Sequence, residues 1–440
     1  MLGTFLIAIA LSTLASAAPK PSEVTFYRDV LPVLQARCQT CHRPGEAAPM
    51  PLLTYQDARP WAKAMKAAVL GKKMPPWHGE PAGRFENERR LSEAETRTIS
   101  DWADTGAKAG NSKYAPPAPL KFADGWTIGK PDTVIEMPNE FRVPATGTVD
   151  YSWIVVPTGF TEDKWVEKLE VRPGNRSVVH HVVVMARPPK SPYMRAAQPG
   201  IPFMPARGTP RRRQQDETGT LSDLAFSEVV GVYVPGGDAY LTRPGQARMI
   251  PAGSDIVFQM HYTANGKEAT DRTRVGIVFA KEPPKERVVN TFIMNTSLRI
   301  PPGAADHEVR ARVTIHEDAT LMSLFPHMHV RGKAFEYRVV FPDGRTETLL
   351  TVPRYDFNWQ TTYYLREPLM LPKGTRIECI ARYDNSPNNK ANPDPASEVL
   401  WGDQTWEEML AGFVDFAVPL GVNPMRIARP APAAQSSGGN

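Results

Sequence analysis

The spacing of apolar residues along the chain changes near residue 125. Before that point, over residues 20–110, apolar side chains recur at helical intervals, as in SEVTFYRDVLPVLQAR and TYQDARPWAKAMKAAVL. The second of these segments starts at Thr54, a residue type that favours helix N-termini, and a later one starts with Ser92 and Glu95 in the spacing of a capping box. The pattern predicts a small helical domain over residues 20–110.

After residue 125 the period becomes two. Short runs of β-branched and aromatic residues, such as YSWIVVP, SDIVFQMHYTA and AFEYRVVF, lie between Pro, Gly, Asp and Asn. Many short strands with turn signals predict antiparallel β-sandwich or jelly-roll folds. The β-region is long for one sandwich, so we expect two, over residues 125–284 and 285–428. The Pro- and Lys-rich stretch KEPPKER, residues 281–287, marks the boundary between them.

The segments outside these domains differ in composition. Residues 111–124 are small, polar and Pro-rich, which predicts a linker, and residues 429–440 are predicted to be a disordered tail. Residues 1–17 are apolar and end in Ala-Ser-Ala, which predicts a secretory signal and export to the periplasm or the exterior. No run reaches the roughly 20 apolar residues of a membrane span, so no transmembrane anchor is expected.

Composition and charge narrow the possible partners. The chain has 440 residues with 44 prolines, about twice the average usage, which favours β-structure with many loops. The formal net charge is +5, and no basic stripe with interleaved aromatic residues is present. Nucleic acid is therefore not an expected partner.

The motif CQTCH at residues 38–42 has the C-x-x-C-H pattern of covalent haem c attachment. Cys38 and Cys41 would form thioethers with the haem, and His42 would bind its iron. A redox dithiol normally lies in a βαβ context, and a zinc site needs a second cysteine pair, but neither accompanies this motif. The third cysteine, Cys379, lies alone in a predicted strand and is expected to be a buried thiol. The sequence therefore predicts one covalent haem c.

The sixth ligand of the haem iron is expected to be a Met or His farther along the chain. Met74 in GKKMPPWHG is the leading candidate, because its Met-Pro segment resembles the methionine loop of small class I cytochromes c. Met50 and His78 are the alternatives. Ligation by His and Met raises the reduction potential and suits electron transfer.

Five histidines lie in three apolar runs of the β-region, at His180, His181, His261, His327 and His329. Each buried imidazole needs partners for two ring nitrogens, and a metal ion satisfies one of them. His327 and His329, at i and i+2, face the same side of an extended strand. His180 and His181 face opposite sides of an ideal strand, so sharing one ion requires a bulge or a twist. The alternative is that these histidines are structural residues of the sheets.

The order of four segments, VVHHVVV, QMHYT, PHMHVRGK and DQTWEEMLAGFV, resembles the copper type II monooxygenases, which include peptidylglycine α-hydroxylating and dopamine β-monooxygenase. The resemblance spans residues 170–416. It implies two jelly-roll domains that each carry one copper, two per chain. It also implies an electron-transfer copper in the first domain, held by His180, His181 and His261. An oxygen-activating copper in the second domain would be held by His327, His329 and Met409.

The chain departs from this family at positions that matter for substrate choice. The peptide-amidating members bind a carboxylate with an Arg two residues before the His-x-His pair, and that position is Phe325 here. Their Asn and Tyr, two and four residues after the Met, are replaced by Ala411 and Phe413. We therefore expect an apolar pocket rather than a carboxylate site. The family is also disulfide-rich, whereas the β-region has Cys379 as its one cysteine.

The sequence analysis leads to an expected function. The chain would be an exported copper monooxygenase that hydroxylates a C–H bond of a small organic substrate with O₂. Its haem domain would supply or relay electrons from an external donor, either ascorbate or a redox protein. The alternative is a haem and copper protein for electron transfer or copper binding, without substrate oxidation. A third interpretation is a cytochrome fused to a β-sandwich used only for binding.

Overall fold

The computed structural model describes residues 23–430 except 47, 117, 119, 121, 123–124, 195, 205–227 and 238. The predicted signal sequence over residues 1–17 lies outside the described residues, as does the predicted tail from residue 431 onward.

The N-terminal region is helical, as the apolar spacing predicts. Its elements are a π-helix at Phe26–Val30, α1 at Leu31–Arg37, α2 at Tyr55–Ala58, a 3-10 helix at Arg59–Trp61, α3 at Ala62–Leu70, α4 at Glu93–Asp104 and a 3-10 helix at Ser112–Tyr114. Both predicted starts are confirmed, because Thr54 and Ser92 each accept a hydrogen bond from the backbone three residues on in a complete capping box. A core built around Phe26, Leu34 and Trp102 holds these helices together.

The first β unit consists of two antiparallel sheets that enclose one core. Its strands are β1 Thr133–Glu136, β2 Phe141–Val143, β3 Ser152–Pro157, β4 Lys164–Arg172, β5 Val179–Arg187, β6 Glu228–Tyr233, β7 Tyr240–Leu241, β8 Gln246–Ile250, β9 Asp255–Tyr262, β10 Ala269–Asp271 and β11 Arg274–Phe279. One sheet has the order β1-β11-β4-β8, and the other has the order β3-β9-β5-β6. Leu169 and Ile277 from the first sheet meet Val182 and Phe258 from the second.

The second β unit repeats this layered arrangement. Its strands are β12 Glu286–Met294, β13 Arg299–Ile300, β14 His307–Ile315, β15 Ala319–His327, β16 Gly332–Val340, β17 Thr346–Val352, β18 Tyr363–Leu371, β19 Arg376–Tyr383, β20 Val399–Leu400, β21 Ala411–Pro419 and β22 Ala428–Pro430. One sheet runs β12-β21-β15-β18, and the other runs β17-β16-β19-β14-β22. Cys379 is fully buried between them, as predicted. Burial alternates along β14 because one side faces this core and the other faces water.

Two of the predicted boundaries are modified by the structure. Arg429 and Pro430, which the composition assigned to the disordered tail, pair with Thr314 and Val313 as part of β22. The predicted break near residue 284 falls between β11 and β12, but the backbone continues the sheet across it. The start of β12 pairs in parallel with β8, so one sheet extends through both β units. The two units are therefore joined by backbone hydrogen bonds as well as by side chains.

Residues 77–90 of the helical region form a strap on the second β unit. Glu80 forms a β-bridge with Thr351, and Phe85 forms one with Leu365. Trp77 and Phe85 lie in the core of the second unit, with ring centroids 4.9 and 5.2 Å from that of Tyr363. The prediction of a separate helical domain over residues 20–110 is therefore wrong for the strap. Its side chains complete a β core that is far away in sequence, which local periodicity cannot reveal.

Among the residues that the structure describes, no helix is both long enough and apolar enough to cross a bilayer.

The strap gives a testable prediction about stability. Phe85 is completely buried, so Phe85→Ala should lower the free energy of unfolding by about 3–5 kcal/mol through lost burial and a residual cavity. Urea denaturation followed by tryptophan fluorescence measures this change. The control is Tyr114→Ala, at a position that is 64% exposed, where we expect a change within about 0.5 kcal/mol. Equal effects of the two substitutions would contradict the packing of the strap.

Candidate metal centre

The first His group consists of His180 and His181 on β5 and His261 on β9. The register between these strands pairs Val179 with Tyr262 and then His181 with His261, which leaves His180 as an extra residue in a β-bulge. The bulge turns two consecutive side chains toward the same side of the sheet. The structure therefore contains the distortion that the sequence required for His180 and His181 to share one ion.

The nitrogens of the first His group converge. Nδ1 of His180 lies 3.3 Å from Nδ1 of His181 and 3.1 Å from Nδ1 of His261. Imidazole nitrogens bound to one ion at about 2.0–2.1 Å lie roughly 3.3–3.6 Å from each other. The three side chains therefore have the spacing of a metal site, and all three can offer a ligand atom within 4.8 Å of the others.

Burial keeps the first His group in its metal-binding protonation state. Burial, together with the neighbouring imidazoles, holds the pKa of His181 and of His261 well below the ordinary value for histidine. Burial also lowers the pKa of His180. Neutral imidazoles retain the lone pair that a metal ion needs, so no proton has to be displaced from the ligand nitrogen.

The second His group consists of His327 at the end of β15 and His329 just beyond it. Their ring centroids are 5.2 Å apart, while Met328 between them is completely buried in the core of the second β unit. The i, i+2 spacing therefore places both imidazoles on one side, as predicted. Burial lowers the pKa of His327 to about 4 and that of His329 to about 3, so both rings are neutral.

Hydrogen bonds orient both rings of the second His group. Nδ1 of His327 lies 2.6 Å from Oε1 of Gln360, and Nδ1 of His329 lies 3.1 Å from the carbonyl oxygen of Glu407. Because both oxygens are acceptors, each Nδ1 carries the proton and donates it, which leaves Nε2 with a free lone pair. Nε2 of His329 is buried without a partner among the described residues. This arrangement is typical of metal-binding histidines.

The buried carboxylate of Glu408 fixes the backbone around His329. Its two oxygens accept hydrogen bonds from the backbone N–H of His329 at 2.9 Å and of Arg331 at 2.6 Å. Burial raises the pKa of Glu408 to about 7, although these N–H groups and the Arg331 guanidinium favour the charged form. Glu408 directly precedes Met409 in the chain. Its carboxylate therefore holds the turn after His329 next to the backbone of Met409.

A second clamp holds the residue between the two histidines. The Tyr355 hydroxyl accepts from the Met328 backbone N–H at 3.0 Å and donates to the Met328 carbonyl at 2.7 Å. Gly332 permits this close approach, because a Cβ there would lie 2.8 Å from side-chain atoms of both Met328 and Tyr355. The glycine that follows the His-x-His pair is thus required by packing.

Met409 lies on one cleft between the β units together with His181 of the first His group and both residues of the second. The cleft has a volume of about 800 Å³, including space open to solvent. Its lining includes His181, His327, His329, Met409, Phe325 and Phe413. The hydroxyl of Tyr383 donates to the Met409 carbonyl at 2.7 Å and fixes the backbone there. Met409 is therefore not a core methionine, because its half-buried side chain faces the same space as the histidines.

The two His groups adjoin each other. The ring centroids of His181 and His327 are 6.2 Å apart, and the Tyr151 ring lies 4.3 Å from His261 and 6.1 Å from His329. The Phe357 ring stacks on His180 at 5.0 Å. The five histidines thus form one continuous cluster across the boundary of the β units.

Several residues of this centre were missed by the sequence analysis. Gln360, Tyr355 and Phe357 lie in one connection between β17 and β18, and Tyr151 precedes β3. They approach the histidines through tertiary folding, and nothing in their local sequence distinguishes them from other loop residues.

The CQTCH motif lies at the end of α1 with a geometry that suits haem attachment. Cys38 caps the helix, and the backbone N–H of His42 donates to the Cys38 carbonyl, so the motif makes one further helical turn. Nδ1 of His42 lies 3.1 Å from the Met50 carbonyl oxygen, and burial lowers the pKa of the ring. Nδ1 therefore donates, and Nε2 of His42 is left with a lone pair for iron. Cys38 and Cys41 are not joined in a disulfide, and both are half-buried.

The three candidates for the sixth ligand have different surroundings. The Met50 backbone is bonded to Nδ1 of His42, on the side of the ring opposite to Nε2, which disfavours Met50 as a ligand across the iron. His78 lies in the strap, where burial lowers the pKa of its ring although Asp356 of the second β unit favours the charged form. Met74 lies in the turn after α3, half-buried and within the helical region.

The CQTCH motif contacts the first β unit. Gly236, just beyond β6, lies so close that a Cβ there would be 2.9 Å from Sγ of Cys41. Arg176 forms an ion pair with Glu46, and Arg89 donates to the Gly236 carbonyl. Residues of β6, Val229 among them, also line the cleft. This strand therefore runs between the CQTCH motif and the His cluster.

Comparisons with known proteins give no relative that informs function. No family model matches the chain, and no curated protein matches it. Among solved structures, the infectious bursal disease virus Gx strain matches with 10% identity over 68% of this chain and 75% of that chain, at a TM-score of 0.19. The VP2 subviral particle of the same virus matches with 12% identity over 68% of this chain and 75% of that chain, at a TM-score of 0.18. The stem and receptor-binding domain of the spike protein P1 of bacteriophage PM2 matches with 10% identity over 67% of this chain and 100% of that chain, at a TM-score of 0.15. Scores this low carry no argument.

The Glu408 clamp yields a prediction about stability. In Glu408→Gln an NH₂ group replaces one of the two acceptor oxygens and faces a backbone N–H, so one buried donor is left unpaired. We expect the free energy of unfolding to fall by about 1–3 kcal/mol in urea denaturation. The control is Glu367→Gln at an exposed position of β18. If the control destabilises the protein as much as Glu408→Gln does, the carboxylate is not the clamp described above.

Proposed function

We propose that the chain is an exported copper-dependent monooxygenase. It hydroxylates a C–H bond of a small organic substrate with O₂, and a covalent haem c in the helical region passes on the electrons. In the balanced reaction, the substrate C–H becomes C–OH and the second oxygen atom leaves as water, with two electrons and two protons supplied. The observation that carries this proposal is that the converging first His group adjoins, through His181, a cleft that is also lined by the second His group and Met409.

The side chains present fit copper at both positions. His180, His181 and His261 would hold one ion through three imidazoles, and His327, His329 and Met409 would hold the other through two imidazoles and a thioether. A thioether is a soft ligand that favours Cu(I), whereas imidazole suits both oxidation states. Copper, when bound, supplies one-electron redox chemistry and the reductive activation of O₂.

The chain's own residues prepare the second site for this chemistry. Gln360 and the Glu407 carbonyl keep the proton on Nδ1 of each imidazole, so Nε2 faces the cleft as the ligand atom. Glu408 fixes the spacing between the His329 backbone and Met409. Phe325 and Phe413 cover the approach with apolar surface, which keeps water from the reacting C–H bond.

Cys38, Cys41 and His42 would hold the haem, and Met74 is the sixth ligand that we propose. A haem with His and Met ligands supplies one-electron transfer at a raised potential. An external donor, ascorbate or a redox protein, would reduce it. The contact between Cys41 and Gly236 supports electron entry into the first β unit, because β6 then leads directly to the cleft beside His181.

A first experiment tests the copper sites. Met409→Ala should retain the copper of the first His group and the haem spectrum, while reductant-driven O₂ uptake falls more than about a hundredfold. Even residues that only orient metal ligands commonly change activity by about 10–100-fold. Metal analysis should give two coppers per wild-type chain. The control is Met370→Ala, at a position 59% exposed, which should leave O₂ uptake unchanged.

Two results would overturn the proposal at different levels. A wild-type chain that binds two coppers but consumes no O₂ with any reductant and a broad substrate panel would be an electron-transfer or copper-binding protein. A chain that binds no copper would leave the histidines as structural residues.

A second experiment tests the haem ligands. Met74→Ala should abolish the sulfur-to-iron charge-transfer absorption of the oxidised haem while the covalent haem content stays at one per chain. Met50→Ala is the matched control and should retain the absorption band. Met50 accepts a hydrogen bond from His42 through its backbone carbonyl, and the substitution leaves that carbonyl in place. Retention of the band in Met74→Ala would show that another residue is the ligand.

A further inference from the structure

The cleft has an apolar wall beside the second His group. The rings of Phe325 and Phe413 meet edge to face with centroids 5.5 Å apart, and Phe292 packs on Phe413 at 4.8 Å. Phe325 and Phe413 are cross-strand partners on β15 and β21, and two residues farther in the same register His327 pairs with Ala411. A ligand that rests on this wall therefore lies beside His327, where the small Ala411 leaves room for it.

The cleft contains almost no charge. Among its lining residues that the structure describes, Asp403 is the one acidic side chain, and lysine and arginine are absent. Arg187 is not part of the lining, and it donates to the carbonyls of Tyr193 and Met194 and pairs with Asp255 at 2.6 Å. An anionic ligand on the aromatic wall would lose its hydration there without gaining a basic side chain of the lining as a partner.

The aromatic wall also separates the cleft from a charged cavity. Phe325 and Phe413 line a second space of about 720 Å³, which contains Arg89, Arg248 and Asp415. Arg248 already forms an ion pair in that cavity, because its guanidinium lies 2.7 Å from the Asp415 carboxylate. The guanidinium groups therefore lie beyond the wall, where a ligand beside His327 does not meet them.

Asp403 lies at the other side of the second His group. Its neighbour Gln404 accepts a hydrogen bond from the Tyr151 backbone N–H at 3.0 Å, which places this segment at the Tyr151 end of the cleft. Asp403 is half-buried and thus in contact with water. A ligand that lies on Phe325 and Phe413 is held by apolar contacts, so it does not need a positive charge that pairs with Asp403.

One buried donor at the cleft is unused. Trp153 lines the cleft from β3, and its indole N–H is buried without a hydrogen-bond partner within the described ranges. Buried tryptophan N–H groups usually have a partner, and an unpaired one is costly. An acceptor oxygen on a ligand would supply that partner.

We propose, resting on the monooxygenase function above, that the substrate is a neutral molecule with an apolar ring and one oxygen that accepts a hydrogen bond. Its ring lies on Phe325 and Phe413, its oxygen accepts from Trp153, and the C–H bond beside the second His group becomes C–OH. O₂ supplies the inserted oxygen atom, and its second atom leaves as water after taking two electrons from the external donor and two protons. A volume of about 800 Å³ suits a ligand of this size.

Three matched probes test the charge of the substrate. 2-Phenylethanol, 2-phenylethylamine and phenylacetate share a phenyl ring and differ in being neutral, cationic and anionic at neutral pH. Calorimetry on the full copper- and haem-loaded chain should give the neutral probe an affinity about tenfold or more above both charged probes. Product analysis by mass spectrometry should give the same order. Tighter binding of either charged probe overturns the proposal.

Variants test the wall and the donor separately. Phe325→Arg should reverse the preference toward phenylacetate, and Phe413→Leu should weaken 2-phenylethanol several-fold without introducing charge if the arginine variant fails to fold. Phe416→Leu is the matched control, because Phe416 lies on the same strand but is buried in the core away from the cleft. Trp153→Phe should narrow the difference in affinity between 2-phenylethanol and ethylbenzene, which lacks the oxygen. An unchanged difference overturns the role of the indole.

Failure of this inference can be distinguished from failure of the proposed function. If 2-phenylethanol binds with the expected preference but no O₂ is consumed, the ligand class stands and the monooxygenase function fails. If O₂ is consumed with the amine or the carboxylate and the neutral probe does not bind, the function stands and the ligand class is wrong.

Discussion

The buried carboxylate of Glu408 joins the two halves of the second His site. On one side it accepts the backbone N–H groups that follow the His-x-His pair, and on the other it adjoins Met409 at the entrance to β21. The pairing of β15 with β21 brings these segments together only approximately, because His329 and Met409 both lie beyond the paired residues. The carboxylate therefore sets a distance that the sheet alone leaves open. The position of His329 relative to Met409, on which the second His site relies, therefore depends on this one buried side chain.

The sequence predicted the parts of this centre that depend on local geometry. Side-chain alternation placed His327 and His329 on one side, and the same rule required a bulge at His180, which the structure contains. The helix starts at Thr54 and Ser92 could be predicted because capping involves residues only three positions apart. The replacement of polar residues at Phe325, Ala411 and Phe413 predicted an apolar pocket, and all three line the cleft.

The remaining features depend on contacts between distant segments. Gln360 lies 33 residues from its partner His327, and no periodic pattern connects the two positions. The pairing of β8 with β12 crosses a Pro-rich break that composition reads as a boundary. Composition indicates which segments are exposed and which form turns, but it does not indicate which strand edges pair in the folded protein. For the same reason the residues that orient the imidazoles were harder to predict than the imidazoles themselves.

The strap has a consequence for how this protein can be divided. Trp77 and Phe85 come from the same stretch of sequence as the CQTCH motif, yet they fill the interior of the second β unit. A cut at the Pro-rich linker would open a hole in a core whose other residues begin only at Val289. The helical region and the β units are therefore not interchangeable modules. If either one were exchanged for a counterpart from another protein, the strap would have to be transferred together with the core that it completes. Such interleaving would keep the segment with the CQTCH motif and the β units with the His cluster together as one heritable unit.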